Sequence, residues 1–520
     1  MRSTRTRCAW VAGTLAALAL ALAVPVIPQV RAGAPGASEA PGSPAPPQGA
    51  LAVRVTSPQM NADVGEGADI TLAAEPTGDG DAVTRVEFLD DDTQIGTVTR
   101  APYQLPYHPP VPKPNFRFTA RVTDGAGHSA VSAPVTCVAT SKARRQYGPY
   151  DYEELGERDL VGQVRLWIPE GLPTVRGLLV VSNPAGCDTR DAYAEVWYEE
   201  FMHLHDFGFV GTQGFGSHVE SVRVLQHALQ QIARDSGHPE LVNVPYATTG
   251  FSAGGGFASR LLVEVPDRTI ASVPVGSRLN FTNVTPSAAT LGTPACIISG
   301  ETEQAASVVE PVLEAYRPEG ALFGWMTVQG RGHERCGQDV LGMPLLDAAV
   351  RARYPADGDV TKGPIKLIDI DPSTGWIADN TTWKSGLTKI CPAKEFQGDL
   401  GHSSWLQTED LAFIYRAYAT YDKPLAITSP GNCWPTTPSL DPGSDVPIVV
   451  DAGGFPNWQK LEFYDGATEL GQITQGPTQF TATKLTPGYH VFSVLGTDAA
   501  GTVRTSDPAL VVVRPLPAPG

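Results

Sequence analysis

The sequence predicts a mostly parallel β-sheet covered by helices on both faces, set between two all-β sandwich domains. Three observations predict it: apolar runs of strand length alternating with amphipathic stretches in the middle of the chain, a module repeated near both ends, and a Gly-x-Ser-x-Gly turn between a strand and a helix. At 520 residues the chain exceeds what one hydrophobic core organises, so several domains are expected. The formal net charge of −17 argues against nucleic acid or an anionic membrane as partner, because both recruit clustered Lys and Arg.

The N-terminus carries three arginines in its first seven residues, then an unbroken apolar run from Cys8 to Val24. Residues 1–32 read as a secretory signal cut after Ala32. The run is shorter than the roughly 20 residues a comfortable membrane span needs, so no integral membrane segment is expected once it is removed. Residues 33–50 are almost entirely Ala, Pro, Gly and Ser, a linker composition that cannot bury a core. The expected location is secreted, periplasmic or cell-surface. Six cysteines remain in the mature chain, at 137, 187, 296, 336, 391 and 433, and an oxidising compartment favours disulfides among them, with the pairing open. No CxxC pair or Cys/His cluster suggests a metal, and no metal or organic cofactor is expected.

The repeat pairs "VEFLDDDTQIG" (86–96) with "LEFYDGATELG" (461–471), and "FTARVTDGAG" (118–127) with "FSVLGTDAAG" (492–501). Each copy consists of short alternating apolar runs separated by Gly, Pro and Asp turns, which predicts sandwich domains over 51–140 and 436–515. The aspartates at 90–92 are read as a solvated hairpin turn rather than a cation site.

Between them, residues 147–435 have a different rhythm. Strands are expected at 163–169, 177–183, 207–213, 246–252, 270–276, 294–300 and 322–330, with helices such as 221–237 between most of them. "TTGFSAGGGFASR" (248–260) then reads as strand, turn and helix, with Gly250, Ser252 and Gly254 in the required spacing. Such a turn holds the serine at the strand's carboxyl end and brings the Ala253 backbone N–H beside it as an oxyanion donor.

A serine nucleophile needs a base and an acid to orient it, expected in the order Ser, Asp or Glu, His. Glu301 and Glu303 follow the strand 294–300, and His333 follows the next strand. His333 is assigned as base and Glu303 as its acid, with Glu301 as the alternative. His402 suits a substrate wall or a structural role, and His203 and His205 are too far apart around a helix to share a face as a metal pair.

The segments "LLVVSNPAGCDTRDAY", "GFSAGGGFASRL", "ISGETEQ" and "GRGH" resemble the α/β-hydrolase esterases grouped with polyhydroxybutyrate depolymerases and feruloyl or acetylxylan esterases. The resemblance covers roughly residues 160–353. It implies an α/β-hydrolase fold and a Gly-Cys pair after the third strand, here Gly186 and Cys187, with the Cys187 N–H as second oxyanion donor. The chain departs from that pattern in lacking a His before the Gly, in using Glu as the acid, and in continuing some 80 residues past the His-bearing segment. The flanking copies resemble bacterial immunoglobulin-like modules.

The tail of the middle segment holds Trp376, Trp383, Trp405 and Trp434, which either line a substrate wall or pack the tail onto the core. Residues 408–420 are expected to form a docked helix. The chain thus reads as a secreted serine esterase acting on an ester substrate, with a polymeric or polymer-attached one favoured. The alternatives are an inactive hydrolase-fold binding or surface protein, and a peptidase on the same fold.

Overall fold

The computed structural model describes residues 51–514, apart from short stretches at 59–62, 66–68, 79–82, 91–92, 108–114, 141–146, 156–160, 170, 185–186, 217–218, 280, 282–283, 304–305 and 431–438. The signal and linker readings for residues 1–50, and those on Asp91, Asp92, Gly186, Cys433 and Trp434, lie outside the described residues. These residues fall into two compact units that divide near residue 140.

The first unit is a sandwich of two sheets. One has the strand order 52–57, 70–77, 104–107; the other runs 63–65, 135–140, 115–124, 83–90, 93–98. Alternation along the strands sends Val86 and Phe88 inward from one strand and Phe116, Phe118, Ala120 and Val122 from its neighbour, giving the core its apolar filling. Asp90, from the triad read as a solvated turn, is buried and accepts the Arg117 N–H at 3.3 Å, so it caps a strand end.

The second unit is built on an eight-stranded sheet: β1 (Tyr147–Leu155), β2 (Val161–Pro169), β3 (Gly177–Ser182), β4 (Phe207–Gln213), β5 (Tyr246–Phe251), β6 (Thr269–Val275), β7 (Ala295–Gly300) and β8 (Phe323–Val328). Their order is β1-β2-β4-β3-β5-β6-β7-β8, with β2 antiparallel to both neighbours and every other pair parallel. This order and polarity are those of an α/β-hydrolase sheet. Strand β1, absent from the sequence reading, has the polar sequence "YGPYDYEEL" and occupies the edge, where one-sided pairing does not require an apolar run.

Helices α1 (Val196–His205), α2 (Val219–Ser236), α3 (Ala253–Glu264), the single-turn α4 (Ala288–Leu291) and α5 (Ala306–Tyr316) lie between the strands, and α6 (Met343–Arg353) follows β8. Strands β3, β5, β6, β7 and β8 are buried at every position because helices cover both faces. The period of two divides each strand between two cores: Leu178 and Val180 of β3 join the α2 residues Val222, Leu225, Leu229 and Ile232, while Leu179 and Val181 join α1 and α6 on the opposite face.

Past α6 the chain forms a small antiparallel sheet of strands 376–379, 390–392 and 403–406 and then α7 (Glu409–Ala419). It covers the open edge of β8: the Trp325 N–H donates to Ser404 Oγ at 2.9 Å. Trp405 packs with Leu322 and Ile377, and Trp383 meets Trp325 edge to face at 5.2 Å. Both are nearly buried, so packing rather than a substrate wall accounts for them. Thr408 caps α7 by accepting the Leu411 N–H at 3.2 Å.

A second sandwich closes the unit, with strands 426–429, 446–451, 479–482 in one sheet and 439–440, 509–513, 488–498, 458–465, 468–473 in the other. Its strand order matches the first sandwich place for place. The strand Ala426–Ser429, which the sequence reading left in the segment 147–435, pairs with Val446–Asp451 and belongs to the sandwich, so the sandwich begins before residue 436. Strand 509–513 is buried on both sides: Ala509, Val511 and Val513 fill the sandwich, while Leu510 and Val512 enter the core that also holds α1, α6 and α7. The Tyr489 hydroxyl adds a 2.5 Å hydrogen bond to the Trp197 carbonyl of α1.

Because this core is shared, Leu510→Ala will cost about 2–5 kcal/mol, the range for truncating a fully buried leucine. Urea denaturation followed by tryptophan fluorescence measures the loss, and the sandwich and the eight-stranded sheet will melt in one transition.

Candidate active site

Strand β5 ends at Phe251 and α3 begins at Ala253, so Ser252 alone makes the turn, at φ 56° and ψ −117°. A non-glycine residue in that region costs on the order of 1–3 kcal/mol and persists only where its surroundings enforce it. Here the Ser252 N–H donates to the Val275 carbonyl of β6 at 2.8 Å, and the Ser252 carbonyl accepts from Gly256 at 3.0 Å. Glycine is required at 250 and 254 because a Cβ at either would run into the Ser182 carbonyl at the end of β3. As the first residue of α3, Ala253 has no intrahelical partner for its N–H, and the helix dipole adds to its pull on an anion.

His333 lies in the loop after β8, where its ring packs on Phe251 with centroids 4.8 Å apart. Its Nε2 is 2.9 Å from Ser252 Oγ and its Nδ1 is 2.6 Å from Glu303 Oε1. With Nδ1 protonated toward the carboxylate, Nε2 is left to accept the serine proton. Glu303 is fixed in turn, its Oε2 accepting the Gly300 N–H at 3.1 Å. The hydrogen bond to Glu303 raises the His333 pKa above the ordinary histidine value, against the lowering effect of partial burial.

Glu301, the alternative acid, does different work. It accepts the Gly330 N–H at 3.0 Å and pairs with Lys384 at 3.3 Å, tying down the loop that carries His333 without touching the imidazole. Those contacts, the Gly330 N–H foremost, hold its carboxyl below the usual range.

The structure brings Ser252, His333, Glu303 and the Ala253 N–H together. It does not bring the Cys187 N–H to them: that N–H donates to the Pro184 carbonyl at 2.9 Å, and its hydrogen is spent there. Cys187 is disulfide-bonded, whereas Cys296, Cys336 and Cys391 are free thiols. Asn183, the first residue after β3, was passed over in the sequence. It lies against Gly254, and its Oδ1 is buried without a hydrogen-bond partner among the described residues. Only the tertiary contact with the elbow singles it out.

Two of the other histidines weighed in the sequence stand apart. His402 pairs with Asp399 at 2.8 Å and with Glu314 at 3.3 Å on the surface, and His205 is buried against Asp347 at 2.8 Å. Among the described residues, no group of three or more His, Cys, Asp or Glu could hold a metal ion, and no helix is long and apolar enough to cross a membrane.

A family model for the bacterial Ig domain matches residues 52–131. A search of curated proteins returns no match. Among solved structures, the chain is similar to fibronectin(III)-like modules of Clostridium thermocellum CbhA, at 24% identity over 17% of this chain and 94% of that one, with a TM-score of 0.16. It is also similar to poly(aspartic acid) hydrolase-1 from Sphingomonas sp. KT-1, at 15% identity over 39% of this chain and 99% of that one, TM-score 0.30. A thermostable esterase matches at 13% identity over 47% of this chain and 71% of that one, TM-score 0.31. At these scores the likenesses decide nothing about activity, which has to be read from the site.

The sign of the His333 shift gives a pH dependence. The imidazole accepts a proton only when neutral, so base function rises with pH through a point above 6.5, the unperturbed value. Glu303→Gln will move that point down, toward lower pH, as followed by NMR titration of the labelled histidine ring.

Proposed function

We propose that the chain is a secreted serine hydrolase that cleaves carboxylic ester bonds through an acyl-enzyme. The observation that carries this reading is the relay from Ser252 through His333 to Glu303, with contacts of 2.9 and 2.6 Å, at a strained strand-to-helix turn.

Ser252 Oγ attacks the ester carbonyl while His333 Nε2 takes its proton, and Glu303 stabilises the imidazolium that results. The Ala253 N–H holds the tetrahedral oxyanion. A second donor has to come from the loop after β3, where Asn183 lies against the elbow. His333 then protonates the departing alcohol, and water releases the acid along the same path. His333 carries every proton in this sequence, so the steps call for no cofactor.

The elbow, the relay and the strand order support membership of the α/β-hydrolase esterases that the sequence resembles. The matching strand order of the two sandwiches supports assigning the C-terminal one to the immunoglobulin-like class of its N-terminal counterpart. Bacterial Ig domains and the leader-like first 32 residues favour a location outside the cytoplasm. There a polymeric or polymer-attached ester, such as an acylated polysaccharide or a polyester, is the substrate class we favour.

The test is hydrolysis of a short p-nitrophenyl acyl ester beside its p-nitroanilide counterpart. The wild type will turn over the ester, and Ser252→Ala and His333→Ala will each lower kcat by about 10⁴- to 10⁶-fold, as removal of a triad member does. Preference for the anilide makes the protein a peptidase, and a folded wild type inert on both makes it a binding protein. A polymer screen then tests the substrate class, which fails if only small soluble esters are cleaved.

A further inference from the structure

Two residues beyond His333, the chain buries a guanidinium. The Arg335 side chain is 6% exposed and packs over the rings of Trp197 and Tyr198, at 5.6 and 5.7 Å from their centroids. Its Nη1 and Nη2 donate to the two carboxylate oxygens of Glu195, at 2.9 and 2.5 Å, in a bidentate pair. Nη2 also reaches the Tyr198 hydroxyl at 3.0 Å, and Nε donates to Gln338 Oε1 at 2.6 Å.

Each partner belongs to a different part of the site's frame. Glu195 is the residue from which α1 starts, and Tyr198 lies in its first turn. Gln338 opens a single π-helical turn (Gln338–Gly342), and its Nε2 donates to Thr249 Oγ1 at 2.7 Å. Thr249 stands on β5, three residues before the nucleophile, and is itself tied to the Val273 carbonyl of β6 at 3.0 Å. A buried path of hydrogen bonds therefore runs from the His333 loop through Arg335 and Gln338 to the strand that ends in Ser252.

The His333 side chain is 52% exposed, and apart from the ring contact with Phe251 its fixed partners are Ser252 and Glu303, both of which it has to act upon. On the N-terminal side of His333 the loop backbone is held by Glu301 at Gly330 and by Thr302 at Arg331. On the C-terminal side the Arg335–Glu195 pair supplies the constraint, because a planar bidentate fork allows one geometry where a single ammonium contact allows many. Retaining a buried ion pair here fits a positional role better than a stabilising one, since an apolar replacement of similar volume is often as stable.

Resting on the esterase reading, we propose that Arg335, held by Glu195, is a positioning residue that sets His333 within reach of both Ser252 and Glu303. The charged group paired with His333 is Glu303, from the turn after β7; Phe251 faces it from β5 without charge, and Arg331 and Glu334 on its own loop pair with each other at 3.3 Å. Around the guanidinium stand Glu195 and the buried Asp339, whose carboxyl burial pushes up.

The experiment compares the full chain with Arg335→Lys and Glu195→Gln, reading kcat and KM on the p-nitrophenyl ester, the melting temperature, and the His333 titration by NMR of labelled histidine. Arg335→Lys keeps the charge and loses the fork. Its kcat will fall about 100-fold with KM little changed, as a displacement near 1 Å of a catalytic group produces. The His333 titration point will move down toward the ordinary histidine value, because the contact with Glu303 loosens. Glu195→Gln will shift both readings the same way by less, and it carries the test if Arg335→Lys does not fold. A lower melting temperature with kcat and the titration point intact overturns the proposal and leaves Arg335 a structural anchor. If the wild type cleaves no ester yet the titration point still moves in the variants, positioning stands and the esterase reading falls.

Discussion

The site depends on one close approach: the backbone of the Gly250–Gly254 turn lies against the Ser182 carbonyl at the end of β3 with no room for a side chain. Between those two glycines Ser252 stands at positive φ, at the carboxyl end of β5. The strain is small beside the packing that enforces it, since β3, β5 and β6 are buried at every position on both sides of the turn. Everything else at the site is arranged around Ser252, whose backbone the turn and its hydrogen bond to Val275 hold in place.

His333 comes from a loop rather than directly from a strand end, so contacts of that loop have to fix its position. The loop is pinned from three sides. Glu301 takes the Gly330 N–H, Thr302 donates its N–H to the Arg331 carbonyl at 2.9 Å, and Arg335 descends into the pair with Glu195. The two glutamates of one short turn thus divide the labour, Glu303 orienting the ring and Glu301 holding its loop. Charge alone does not separate them; what does is that only one faces Nδ1.

The C-terminal sandwich has a different standing from a tethered module. Leu510 and Val512 sit in the core of the eight-stranded sheet's helical layer, and Tyr489 binds the carbonyl of Trp197, whose ring lies under Arg335. Strand 509–513 is apolar at every position for this reason, in contrast to the alternating strand 446–451 with only one face covered. The sandwich is therefore part of the scaffold that carries α1.

Much of this was legible in the chain. Strand-length apolar runs, the Gly-x-Ser-x-Gly spacing and the repeat near both ends follow from local sterics and periodicity, which a sequence expresses directly. So does the order of Ser252, Glu303 and His333 after β5, β7 and β8, and the structure brings the three into contact. Tertiary contact decided the rest. The polar strand β1 is a strand because an edge tolerates it, and Ala426–Ser429 joins the sandwich through pairing with a strand some twenty residues away. Cys187 loses its N–H to the Pro184 carbonyl, Trp383 and Trp405 are packing, and Glu195 meets Arg335 across 140 residues of chain. Hydrogen-bond commitment and long-range pairing are properties of three-dimensional proximity, and no spacing along the chain encodes them.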